Sequence, residues 1–218
     1  EKAEPLTAAR YLDYMKAQGF EGSVGNVEAE ELNMTAKIVF CEGAYYSVLT
    51  SVSTCYPVVW SSENGGKTIH FRGVLPQRMR YECAVEIVQR KMYFLLRESP
   101  GPNFYCSEDF GLTYTASAQI IPLSNSRPRL VAYKERLLLC YSIFGVKPNF
   151  IRDGRNNLVI RIGQGLDVNR YDEIVTLADP FGILYYDVVN YKEVLYMNFS
   201  NADLYIDRSK QGKDVIYY

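Results

Sequence analysis

The chain has 218 residues, 48% of them hydrophobic and 22% charged, the balance of a globular protein with a sizeable core and not of a disordered one. Its 24 basic and 25 acidic side chains leave a formal charge of −1, which offers no field to hold a nucleic acid or an anionic membrane. No apolar run approaches the roughly 20 residues that span a bilayer, and Glu1 to Pro5 is too charged for a signal peptide, so a mature soluble region is expected.

Taken in chain order, Ala8, Tyr11, Leu12 and Met15 recur at spacings of three and four between Thr7 and Ala17, which predicts a short amphipathic helix. From about Met34 onward, short runs rich in Val, Ile, Tyr, Phe and Thr are broken by Gly, Pro, Asn and Lys-Glu pairs, which predicts many short strands. Two-strand units with a polar turn in the middle appear at Ala36–Leu49, Ala84–Leu96, Arg129–Tyr141 and Leu184–Met197. The last two share the string Val-x-Tyr-Lys-Glu-x-Leu, at Val131–Leu137 and Val189–Leu195. Their turn centres, Gly43, Arg90, Glu135 and Glu193, are 47, 45 and 58 residues apart. A repeat of about 40 to 50 residues with several strands per unit is the pattern of propeller blades, each a small sheet that cannot bury both faces alone.

Two units continue into Ser62-Glu-Asn-Gly-Gly-Lys-Thr-Ile69 and Ser107-Glu-Asp-Phe-Gly-Leu-Thr-Tyr114, 45 residues apart. Both fit Ser-x-Asp/Asn-x-Gly-x-Thr followed by an aromatic or aliphatic residue. In a tight turn, Asn64 or Asp109 can accept bonds from nearby amides, and Gly66 or Gly111 supplies the unusual backbone. Ser62, Ser107, Thr68 and Thr113 add local bonds, and Tyr114 or Ile69 packs between blades. The string resembles the Asp box, or bacterial neuraminidase repeat, of the sialidase superfamily. Weaker echoes are Ile151–Leu158, with Asp153 placed 44 residues after Asp109, and Ser209–Val215.

The resemblance implies an all-β fold: a sialidase-like β-propeller, with four blades visible, complete or part of a six-bladed ring, after a short N-terminal helix. The expected divisions are a helical segment over residues 1–25 and blades over about 26–78, 79–124, 125–178 and 179–218. It also implies that the boxes are structural and lie away from the catalytic centre. A sialidase needs three arginines for the substrate carboxylate, a Tyr nucleophile activated by a Glu, and an Asp acid/base. The family's Phe/Tyr-Arg-x-Pro string is missing; the nearest stretch is Ser126-Arg-Pro-Arg-Leu130, so the arginines to examine are Arg127, Arg129 and Arg80. His70, the only histidine, has no nucleophile signature beside it. No catalytic residue is assigned.

Five cysteines without a CxxC pair argue against a metal site, and no cofactor is expected. Cys41 with Cys55, and Cys83 with Cys106, each bracket one hairpin and are the candidate disulfides, the first pair being the better placed; Cys140 is expected to be a buried free thiol. Sequons at Asn33 and Asn198 add to the case for a secreted or cell-surface glycoprotein. Intact boxes without the arginine string suggest a non-catalytic binding or adhesion module for a protein partner or a glycan, as in protozoan surface members of the family that have lost catalysis. The alternative is a glycoside hydrolase of exo-sialidase type, its pocket completed by missing blades or a second chain. A third reading is a four-bladed, haemopexin-like propeller in which the boxes are coincidental.

Overall fold

The computed structural model describes residues 6–20, 31–79, 82–97, 101–117, 127–144, 155–178 and 183–201. They fall into two compact units, Glu1–Ile120 and Ile121–Tyr218. Helix α1 (Ala8–Ala17) opens the first unit, with Thr7 at its N-cap accepting a hydrogen bond from the Arg10 amide at 3.2 Å, and it buries the predicted Tyr11, Leu12 and Met15. Every other regular element among the described residues is a strand, as the pattern predicts.

In the first unit, β1 (Leu32–Asn33) and β2 (Val39–Cys41) both pair with β3 (Ala44–Ser51), which continues through β4 (Val58–Ser62) to β5 (His70–Val74). This is sheet 1. Sheet 2 runs in order through β6 (Cys83–Val88), β7 (Lys91–Leu96), β8 (Phe104–Ser107) and β9 (Thr115–Ala116). Strand alternation gives each sheet two apolar faces. Tyr46, Val48 and Val59 of sheet 1 meet Val85, Met92 and Phe94 of sheet 2 in one core. On the far face of sheet 1, Leu49, Val58, Trp60 and Ile69 pack under α1.

The second unit repeats the plan. Strands β10 (Arg129–Tyr133), β11 (Arg136–Phe144), β12 (Arg155–Gln164) and β13 (Asp167–Ala178) form sheet 3, and β14 (Ile183–Tyr191) pairs with β15 (Val194–Asn201) as sheet 4. Val131, Leu138, Cys140 and Leu158 of sheet 3 share a core with Tyr186 and Val188 of sheet 4. The Tyr186 hydroxyl closes it by donating to the Cys140 carbonyl at 2.8 Å.

Each sheet opens on a hairpin with a two-residue turn: Glu42-Gly43, Gln89-Arg90, Lys134-Glu135 and Lys192-Glu193. All eight residues have positive φ, between 45° and 85°, as the hairpin turns that match strand twist require. The turn centres expected from the sequence therefore lie where the chain reverses.

The disulfide expectation is corrected: all five cysteines are free thiols. Cys41 sits at the hairpin end of sheet 1, partnered with Ala44, whereas Cys55 follows the far end of the eight-residue β3, which puts roughly 20 Å of strand between them. Cys83 and Cys106 both pair with β7, on opposite sides and at Leu96 and Tyr93, so two strand spacings of about 4.8 Å separate them. Burial pushes the Cys83 thiol far above its ordinary range, and burial likewise raises Cys106.

Candidate functional site

The two Ser-x-Asx strings occupy equivalent β-turn connections, between β4 and β5 and between β8 and β9. In the second, Asp109 Oδ1 accepts from the Ser107 hydroxyl (2.8 Å) and from the Leu112 and Thr113 amides (3.0 and 2.9 Å), while Oδ2 accepts from the Thr113 hydroxyl at 2.6 Å. Desolvation would raise this carboxyl, but the bonds from Thr113, Ser107 and Leu112 outweigh it and hold the pKa at about 2, below the usual 3.8. The Gly111 amide donates to the Ser107 hydroxyl at 2.7 Å. In the first, Asn64 Oδ1 accepts from the Ser62 hydroxyl (3.1 Å) and the Thr68 amide (2.9 Å), and Gly66 N donates to Ser62 Oγ at 2.9 Å. Asp109 thus accepts four hydrogen bonds from within its own turn, which ties the carboxylate to that loop.

The second turn also ties the sheets of its unit together. Arg72 of β5 donates to the carbonyls of Asp109 and Phe110, both at 3.2 Å, and Phe110 stacks on Tyr46 at 5.1 Å. Tyr114 donates to the Gly111 carbonyl at 2.6 Å, and burial pushes its hydroxyl pKa upward.

Sheet 2 carries charge at its opposite end. Ser107 is partnered with Met92 beside the hairpin, whereas Cys83 is partnered with Leu96 at the other extreme of β6 and β7. One residue beyond that pair, the Arg97 guanidinium forms an ion pair with Glu82, their side chains only 12% and 13% exposed, and the Arg97 amide donates to the Glu82 carbonyl at 3.0 Å. A half-buried Arg-carboxylate pair at a strand end holds a planar guanidinium of the kind that suits carboxylates, which makes Arg97 the candidate anion-binding residue of this sheet. Nothing in the sequence reading singled out these two residues. The signal available was symmetry, for Glu82 lies seven residues before Gln89 and Arg97 seven after Arg90, which registers them across the hairpin.

In the second unit Arg127 stands seven residues before Lys134 and Ser142 seven after Glu135, the same register positions in sheet 3. Arg127 is half-buried and Ser142 buried. Arg129 is turned to structural use, its side chain 5% exposed and its Nε donating to Asp187 Oδ1 of β14 at 2.8 Å. Arg80, the Ser209–Val215 string and Asp153 lie outside the described residues. His70 begins β5 and is exposed. Among the described residues no His, Cys, Asp and Glu side chains cluster as a metal site would need, and no helix is long and apolar enough to cross a membrane.

No family model and no curated protein matches the chain. Solved structures do. A Trypanosoma rangeli sialidase in complex with the inhibitor DANA superposes with a TM-score of 0.51 at 16% identity, over 72% of this chain and 27% of that one. A Hadza microbial sialidase gives 0.55 at 14% identity, over 73% of this chain and 33% of the other. The fold is sialidase-like. A GH43 β-1,3-galactosidase also superposes, with a TM-score of 0.55 at 12% identity over 82% of this chain and 43% of that one, so the arrangement is shared by several propeller glycoside hydrolases. The chain spans about a quarter to a third of the length of the solved sialidases.

Proposed function

We propose that the chain is the blade-bearing part of a secreted or cell-surface β-propeller that binds glycans without turning them over. In this reading the four sheets are successive blades and the two Ser-x-Asx turns are Asp boxes. Arg97, oriented by Glu82, receives the carboxylate of an acidic sugar. The observation that carries it is the placement of this pair at the end of sheet 2 remote from the box turn, combined with the sialidase-like fold. The four hydrogen bonds that Asp109 accepts inside its turn support a structural box. The secretory setting is supported by exposed Asn198 on β15 and half-buried Asn33 on β1, both within sequons, although the free cysteines contribute nothing to it.

A second reading rests on the same observation, since an arginine that holds a substrate carboxylate serves a hydrolase as well as a binding module. The chain would then be part of an exo-sialidase whose pocket other blades or a second chain complete. The experiment is titration with 3′-sialyllactose by calorimetry, alongside a fluorogenic sialoside assay. Binding that Arg97→Ala removes, without release of the fluorophore, is the expected result. Turnover abolished by Arg97→Ala or Arg127→Ala would replace the binding module with the enzyme.

A further inference from the structure

Among the described residues, sheet 4 buries one face and exposes the other. Tyr186 and Val188 enter the core shared with sheet 3, with Leu195 and Met197 packed against it. Strand alternation therefore turns Val189, Tyr191, Val194, Tyr196 and Asn198 to the opposite face. Register brings them together, for Val189 pairs with Tyr196 and Tyr191 with Val194. Val189 and Tyr191 are each 59% exposed, Val194 51% and Tyr196 46%. The rings of Tyr191 and Tyr196 lie 6.4 Å apart at 55°, and Lys192 Nζ stands 5.2 Å from the Tyr191 ring centre. A contiguous apolar patch of this kind marks a surface that something covers. Asn198 is exposed on the same face, two positions beyond Tyr196 on β15, and it opens the sequon Asn198-Phe199-Ser200.

We propose that Asn198 carries an N-linked glycan whose first N-acetylglucosamine rests on the Tyr196 ring and shields the apolar face of sheet 4. This rests on the secretory setting proposed above and goes beyond it, in saying which sequon is used and what its glycan does. In the transfer, the bond from the sugar's anomeric carbon to a lipid diphosphate donor breaks and the diphosphate leaves with the electron pair. Asn198 Nδ2 bonds that carbon, and its displaced proton passes to solvent. Residues two apart on a strand stand roughly 7 Å apart and point the same way, so a sugar joined to Asn198 is delivered over Tyr196 by its own attachment. One side of the pyranose presents C–H groups, which suit the face of an aromatic ring, while its hydroxyls and acetamide stay in water. The covalent link has already removed the sugar's translational freedom, so a weak contact is enough to hold it there. Asn33, by contrast, is half-buried on β1 opposite Thr50.

The test is to express the whole chain behind a signal peptide in yeast and trim it with an endoglycosidase that leaves one N-acetylglucosamine on each modified asparagine. Peptide mapping by mass spectrometry is expected to find that sugar on Asn198. The trimmed parent should unfold at a urea midpoint about 0.3 to 0.6 M above that of trimmed Asn198→Gln. That gap should close in a Tyr196→Ala background and persist with Tyr196→Phe, a pattern that a purely solubilising glycan would not give. Equal midpoints for the trimmed parent and Asn198→Gln, or a gap that survives Tyr196→Ala, overturn the inference. So does a glycan on Asn33 alone, which would leave the secretory setting standing and assign the face to a second copy or a further sheet. Sugar on neither asparagine would remove the secretory setting together with the inference. None of these results touches the acidic-sugar reading at Arg97.

Discussion

At the first Ser-x-Asx turn, two adjacent glycines, Gly65 and Gly66, take positive φ, and a Cβ on either would meet nothing within 4 Å. At the second, Phe110 and Gly111 take the same conformations, but a Cβ on Gly111 would stand 2.6 Å from Val59 Cγ1. The first turn is anchored by an amide, Asn64, whose Nδ2 donates to the Thr68 hydroxyl at 3.1 Å; in the second the polarity is reversed, with the Thr113 hydroxyl donating to Asp109. The backbone solution is common and the surroundings are not. One turn faces open space and the other is wedged against the preceding sheet, which teaches that the motif specifies a local loop while its energetic weight is set by what it touches.

The sharpest way to break the comparison is at Gly73 of β5, whose added Cβ would lie 2.3 Å from the Gly111 carbonyl oxygen and 2.8 Å from the Tyr114 hydroxyl. Backbone cannot give way cheaply, so Gly73→Ala should cost more than about 3 kcal/mol in urea unfolding. Gly111→Ala follows, at about 2 to 3 kcal/mol from left-handed strain plus displacement of Val59. Gly66→Ala, with strain alone, should cost about 1 kcal/mol. Equal losses at Gly111 and Gly66 would mean that the wedge contributes nothing. Asp109→Ala removes four accepted bonds at a partly exposed site and should cost about 1 to 2 kcal/mol, more than Asn64→Ala, without selectively removing glycan binding.

The smallest effect is the most diagnostic of the amide-for-acid difference. Asp109 titrates near 2 in the fold and near 3.8 when unfolded. Its contribution is therefore complete above about pH 4 and is lost as the pH falls from about 4 toward 2. Asp109→Asn should flatten that part of the stability profile, whereas Asn64→Ala should leave its shape unchanged. An unaltered acid profile in Asp109→Asn would contradict the hydrogen-bond network.

Much of this architecture was legible in the sequence because it is local. Helix α1, the four hairpins and both Ser-x-Asx turns are each fixed within about a dozen residues, and the turns at Gly43, Arg90, Glu135 and Glu193 declared themselves by polar residues between apolar strands. The candidate site was not, because it is assembled by register. Glu82 and Arg97 meet only once β6 and β7 are paired, and the one mark of this along the chain is their equal distance from the turn. The partner of Arg129, Asp187, could not be read from the sequence because it lies on another sheet 58 positions away. The disulfide expectation failed for a related reason: cysteines that bracket a hairpin in sequence are thrown to opposite ends of a strand or across an intervening one.

The hairpin tips have a further consequence. Within the first unit Arg90 reaches Glu42 at 2.6 Å, and within the second Lys134 reaches Glu193 at 3.6 Å, all four on two-residue turns. These side chains are between 42% and 71% exposed, and pairs of that kind add little to stability. Their value is discrimination. In the first unit the tip of sheet 1 carries Glu42 and that of sheet 2 carries Arg90, so sheet 2 packed the other way round would lose this attraction. Within each unit the charged tips thus bear on how two neighbouring sheets are oriented and not on how tightly they hold.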